Sequence, residues 1–140
     1  MFNLPIAFLA GLRVVSISEN ECTTSIPFKW LNKNPFKSMY FAVQSMAAEL
    51  STAINCQIAT KCHEQSIAFI IIDCKANFLK KADGKVLFTC SNANEAFDAV
   101  NECSKSGETS VRTFLTTGTT ADGTVVSNFE FTWSFKARKS

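Results

Sequence analysis

The chain lacks several features that would point to particular kinds of protein. It has no uninterrupted apolar stretch of the ~20 residues that a membrane-spanning helix needs, so no membrane span and no membrane partner are expected. Its six cysteines, Cys22, Cys56, Cys62, Cys74, Cys90 and Cys103, include no CxxC pair, and most lie within apolar patterns where a free thiol behaves as a small buried hydrophobe. Neither disulfides nor a metal is therefore expected, because Cys56, Cys62 and His63 alone do not supply the paired spacing of a structural zinc site. Basic residues do not gather on one face. Apart from Lys80-Lys81, read as a turn, and a solvated tail at Lys136-Ala137-Arg138-Lys139, they are dispersed, and the formal charge is only +2, so no nucleic acid is expected as partner. No repeat or low-complexity linker interrupts residues 1–140, which are read as one domain.

What is present is a Phe-rich globular composition, 46% hydrophobic and 19% charged, with 13 Phe. The apolar run Leu4 to Leu12 has no Lys or Arg before it. It reads as an N-terminal helix over 4–12 and not as a secretory signal, which makes the cytoplasm the expected compartment. Arg13 to Ser18 and Thr23 to Trp30 read as two strands joined by the polar turn Glu19-Asn20-Glu21. Asn34-Pro35 then has the form of a helix cap with proline in the first turn. A long helix follows over about 36–54, with Met39, Ala42, Val43, Met46, Leu50 and Ala53 at helical spacing as an apolar stripe expected to face a sheet.

Beyond it, Ile67 to Leu79 and Val86 to Cys90 read as strands of a hairpin turning near Asp83-Gly84. Asn94 to Cys103 reads as a short second helix. Thr109 to Thr119 and Thr124 to Lys136 form a last hairpin, in which Val125, Phe129, Phe131, Trp133 and Phe135 are expected on the packed face. Six strands in three hairpins with one long helix make an α+β domain. Such an antiparallel sheet buries the helix by curling around it, the hotdog arrangement.

On this helix the residue suited to chemistry is Glu49. It lies at the edge of the apolar stripe, on the same face as Ala42 and Ser45, where partial burial would raise its pKa toward that of a general base. Taken on residue type alone, a helix glutamate is more simply a solvent-exposed one. The helix start, Ser38 to Ala42, offers backbone N–H groups and the positive end of the helix dipole. Gln44 and Ser45 are candidates to orient water or substrate, and Asn34 is read first as a cap and second as a substrate contact. The single histidine, His63, is read as a surface loop residue.

The run Asn34-Pro35-Phe36-Lys37-Ser38-Met39-Tyr40-Phe41-Ala42, continued by Met46-Ala47-Ala48-Glu49-Leu50, resembles the central-helix signature of hotdog-fold thioesterases, in particular the DUF4442, PaaI-like branch. Ala76-Asn77-Phe78-Leu79-Lys80-Lys81 and Thr132-Trp133-Ser134-Phe135-Lys136 extend the likeness to about residues 30–136. The resemblance implies a six-stranded antiparallel sheet around one long central helix and hydrolysis of acyl thioesters of the acyl-CoA type, without metal or redox cofactor. It also implies a homodimer or dimer of dimers with the site between subunits. It assigns the helix carboxylate, Glu49, as base or nucleophile, and N–H groups near the helix start as donors to the thioester oxygen. Where the family commonly has a glycine, about two turns before the acid, this chain has Phe41-Ala42. That departure keeps a second reading open, a hotdog protein that binds acyl-CoA or another apolar ligand without turning it over.

Overall fold

The computed structural model describes residues 4–139. A short helix, α1 (Pro5–Ala10), leads into β1 (Arg13–Ile17) and β2 (Cys22–Ile26), and a 3-10 turn at Trp30–Asn32 precedes the long helix α2 (Phe41–Cys62). Then come β3 (Ile67–Phe78), β4 (Val86–Cys90), α3 (Glu95–Ser106), β5 (Ser110–Thr120) and β6 (Val125–Ala137). The strands form one antiparallel sheet in the order β1-β2-β4-β5-β6-β3, and α2 packs against it. This is the expected fold, and its first and last hairpins form where the turn residues place them.

The middle hairpin does not form. β3 pairs with β6, and β4 lies between β2 and β5. Strand length explains the choice: a 12-residue strand beside the 5-residue β4 would leave most of its ladder unmade, whereas the 13-residue β6 pairs with it at eleven positions. Asp83-Gly84 thus belongs to a connection that crosses the sheet.

The helix bounds also shift. α1 ends at Ala10, short of the expected residue 12, because Gly11 adopts a left-handed conformation (φ 78°) and its N–H caps the carbonyls of Ala7 and Phe8. α2 begins at Phe41 and not near 36. Asn34 Oδ1 accepts from the N–H groups of Phe36 (3.0 Å) and Ser38 (3.2 Å), which closes a tight turn of its own, and the Met39 N–H donates to Ala82 O (2.7 Å). Asn34 therefore caps a turn ahead of the helix, while Tyr40, the true N-cap, makes no side-chain cap bond. At the other end the helix runs on to Cys62, because Asn55, Cys56 and Ala59 continue its buried face.

That face is not the apolar stripe. The buried positions are Gln44, Ala47, Ala48, Ser51, Thr52, Asn55, Cys56 and Ala59, a helical repeat of small and polar residues. Small side chains let the helix lie close to the sheet, and the polar ones are bonded: Ser127 Oγ to Gln44 Oε1 (2.9 Å), Trp133 Nε1 to Thr52 Oγ1 (3.0 Å), Thr24 Oγ1 to Ala47 O (2.7 Å) and a 2.7 Å contact between the hydroxyls of Ser51 and Thr116. Val43, Met46, Leu50 and Ala53 lie half-buried on another side, where Ile6 and Leu9 share a cavity with Val43 and Met46. Met39 precedes the helix altogether, and Ala42 is exposed.

Across the sheet Phe88, Phe114, Phe129 and Phe135 are fully buried. A Cβ on Gly118 would stand 2.6 Å from the ring of Phe88, so only glycine admits that ring. The register slips between Gly118 and Thr119, which turns Val126 inward and leaves Val125 exposed, contrary to the alternation read from the sequence.

Candidate active site

Glu49 is held on the side of α2 between its sheet-facing residues and solvent. It is half-buried and lines a cavity of about 190 Å³ with Leu50, Ile54, Phe69 and Trp133. Its backbone carbonyl accepts from Thr52 Oγ1, but among the described residues its carboxylate has neither an ion-pair partner nor a hydrogen-bond donor. Burial is therefore uncompensated, and it raises the Glu49 pKa above the ordinary 4.5. A carboxylate in that state is a stronger base than one in water.

At the start of the same helix, the Val43 and Gln44 N–H groups donate to Tyr40 O, while those of Phe41 and Ala42 have no acceptor among the described residues. Phe41 is 56% exposed, its ring 5.0 Å from Tyr40 and 6.3 Å from Phe78 between centroids. Two cavities meet at Tyr40. One, of about 680 Å³, is lined by Asn34, Phe41 and Gln44 among others; its neighbour, of about 310 Å³, is lined by Ile6, Leu9, Leu31, Ala42, Val43 and Met46.

The residues singled out from the sequence thus fall into two places. Asn34, Phe41, Gln44 and Ala42 gather at the helix start, and Glu49 lies apart. The eight steps from Phe41 to Glu49 rise ~12 Å along the helix axis, too far for one carbonyl carbon to meet both groups within one chain. Gln44 is only 5% exposed, with Oε1 bound by Ser127 and Nε2 on Met39 O (3.3 Å), so its amide secures the helix to the sheet and is not free to orient water. Ser45 Oγ donates to Phe41 O (2.9 Å). Asn34 Nδ2 and Oδ1 are both engaged with Ser38 and the turn. Sequence reading missed Phe36, Tyr40, Phe78, Lys80 and Lys81 as cavity walls. Lys80 and Lys81 arrive there through long-range contacts with no local signal, the β3–β6 pairing and the bond from the Met39 N–H to Ala82 O.

The buried thiols Cys22, Cys56 and Cys90 are placed against catalysis. Burial pushes Cys22 up to about 11 and Cys90 up to about 12, and raises Cys56 as well. His63, half-buried at the far end of α2, accepts at Nδ1 from the Gln65 N–H (3.1 Å).

No protein-family model matches the chain, and no curated protein matches it in sequence. Solved structures do. A thioesterase from Haemophilus influenzae superposes with a TM-score of 0.71 at 16% identity, over 94% of this chain and 82% of that one. A variant of a thioesterase from Pseudomonas aeruginosa gives 0.71 at 16% identity, over 95% and 86%. A protein of unknown function from Chlorobaculum tepidum gives 0.82 at 12%, over 98% and 89%. At such identities the likeness speaks for architecture alone. The sheet order, the enclosed helix and these superpositions together establish that the chain has the hotdog fold.

Proposed function

We propose that the protein is a hydrolase of acyl thioesters, acyl-CoA in particular, working at sites shared between two copies of the chain. The observation that carries this reading is Glu49, a half-buried carboxylate of raised pKa on the wall of a cavity. It removes the proton from water as the water oxygen attacks the thioester carbonyl. The N–H groups of Phe41 and Ala42 face the oxygen on which charge develops. Collapse of the tetrahedral intermediate breaks the carbon–sulfur bond, and the released thiolate takes up the proton. Water, a carboxylate and backbone donors suffice for these steps, so the reading needs no metal or redox cofactor. It takes the protein to be cytoplasmic.

The ~12 Å axial separation of Glu49 from the helix start is what calls for a second copy, whose helix start would meet this chain's Glu49. The edge strand β3 offers a place for it: its outer side has no strand partner, and Ile70, Ile71 and Ile72 are 64%, 42% and 54% exposed. A homodimer or dimer of dimers follows, and likeness of residues 34–42 and 46–50 to the DUF4442, PaaI-like branch supports the same assembly. Measuring thiol release from a panel of acyl-CoAs tests the activity. Release by the wild type and its collapse in Glu49→Gln is the expected outcome, and no release from any thioester would refute it.

One arrangement favours the second reading, a hotdog protein that binds an acyl thioester or apolar ligand without turnover. The Phe41 side chain stands where the family commonly has glycine, beside the free N–H groups. Saturable binding of an acyl-CoA with no thiol release would select it.

A further inference from the structure

The cavity of about 680 Å³ at the start of α2 has a chemistry of its own. Lys80 and Lys81 line it, and no Asp or Glu does. Neither lysine is in an ion pair among the described residues, and neither donates a side-chain hydrogen bond there. The backbone leading into the pair is nonetheless held, since the N–H groups of Leu79 and Lys80 both donate to Val126 O (2.8 and 3.1 Å). The same cavity is lined by four aromatic side chains, Phe36, Tyr40, Phe41 and Phe78, of which Phe36 is 81% exposed. Across Tyr40 the neighbouring cavity is walled almost wholly by apolar side chains, without a charged group.

Two free cations beside exposed rings suit a ligand that combines phosphate with a flat heterocycle. An apolar cavity next door suits an acyl chain. The free N–H groups of Phe41 and Ala42 lie where the two cavities adjoin. From this layout we infer that Lys80 and Lys81 bind the nucleotide phosphates of a coenzyme A thioester, so that this protein selects a nucleotide-borne acyl group over one carried on a protein. The inference rests on the thioesterase reading and adds to it the residues that recognise the nucleotide end of the carrier and the discrimination against a protein-borne acyl group. A carrier protein presents its acyl group on a phosphopantetheine arm, which has one phosphate and no nucleotide, and would leave the aromatic walls and one side of the lysine pair unused.

The test separates recognition from turnover. The adenosine bisphosphate that forms the nucleotide end of coenzyme A is titrated calorimetrically into wild-type protein and into Lys80→Ala, Lys81→Ala, the double alanine variant and the double arginine variant. Both lysines are exposed, so the substitutions leave the core intact. Each alanine is expected to weaken binding about tenfold and the pair about 100-fold, with arginine retaining it. In hydrolysis, the double alanine variant raises KM for an acyl-CoA while leaving KM for the matching acyl-pantetheine unchanged. Failure of the bisphosphate to bind wild type, equal binding to the double alanine variant, or a lower KM for an acyl-carrier protein than for the acyl-CoA would each overturn the inference. If no thioester is hydrolysed, the enzyme reading falls, and the calorimetry still decides on the lysines.

Discussion

Replacing Ser51 with alanine should destabilise the protein more than replacing its partner Thr116 with valine, and making both changes should restore part of the loss. Both hydroxyls are buried, at 0% and 1% exposure, and lie 2.7 Å apart. Ser51 Oγ is also 2.7 Å from Ala48 O, to which it donates its only hydrogen, so Thr116 must be the donor in the shared bond. Ser51→Ala then strands a buried hydroxyl donor, at a cost of about 1–3 kcal/mol. Thr116→Val leaves Ser51 still bonded to its own helix and removes one contact, at about 0.5–1.5 kcal/mol. The double variant strands nothing and should lie above Ser51→Ala alone. Urea unfolding at constant slope measures all four corners of the cycle. Strict additivity, or a double variant weaker than Ser51→Ala, would refute the idea that α2 is fastened to the sheet by paired polar groups.

Three other outcomes are expected. Because burial raises the Glu49 pKa in the folded state, the native protein binds this proton more tightly than the unfolded chain. Stability should then fall as pH rises from the ordinary 4.5 through the raised value. Thermal melts of Glu49→Gln should lack that fall and lie above wild type at neutral pH; parallel profiles would show the carboxylate to be solvated. The double substitution Ile70→Lys and Ile72→Lys on the β3 edge should shift the protein to monomer in sedimentation and abolish thiol release together, whereas an unchanged oligomer would place the self-association elsewhere. Titration of the native protein with an aromatic disulfide should modify Cys62 and Cys74, which are exposed, and spare the buried Cys22, Cys56, Cys90 and Cys103 until denaturant is added. Rapid reaction of the buried four would contradict their burial.

Elements that pair with their neighbours in sequence were legible. The opening and closing hairpins carry local turn residues between their strands, and the long helix carries a repeat of its own. The partner of β3 was not legible, because Asp83-Gly84 resembles a hairpin turn and only the length of β6 decides against it. The face that α2 buries was hidden for a different reason. A helix packed tightly under a curled sheet uses Ala, Ser, Thr and Asn there, so counting large apolar residues picks the wrong side. Asn34-Pro35 misled in the same local way, since an asparagine that closes its own turn looks like one that caps a helix. At the candidate site, the helix position of Glu49 was readable, but not its cavity wall from Phe69 and Trp133, nor the arrival of Lys80 and Lys81 near Phe41.

The sharing of one site by two chains can be measured by mixing inactive subunits. Phe41→Pro removes one free N–H at a helix position where proline is tolerated, and Glu49→Gln removes the base; each is expected to be inactive alone, with Phe41→Ala as an active control. Co-expressed, they form mixed dimers in which one site combines an intact helix start from one chain with an intact Glu49 from the other, so thiol release should return to about a quarter of the wild-type rate for random pairing. No recovery in dimers verified to be mixed would contradict a site built from two copies.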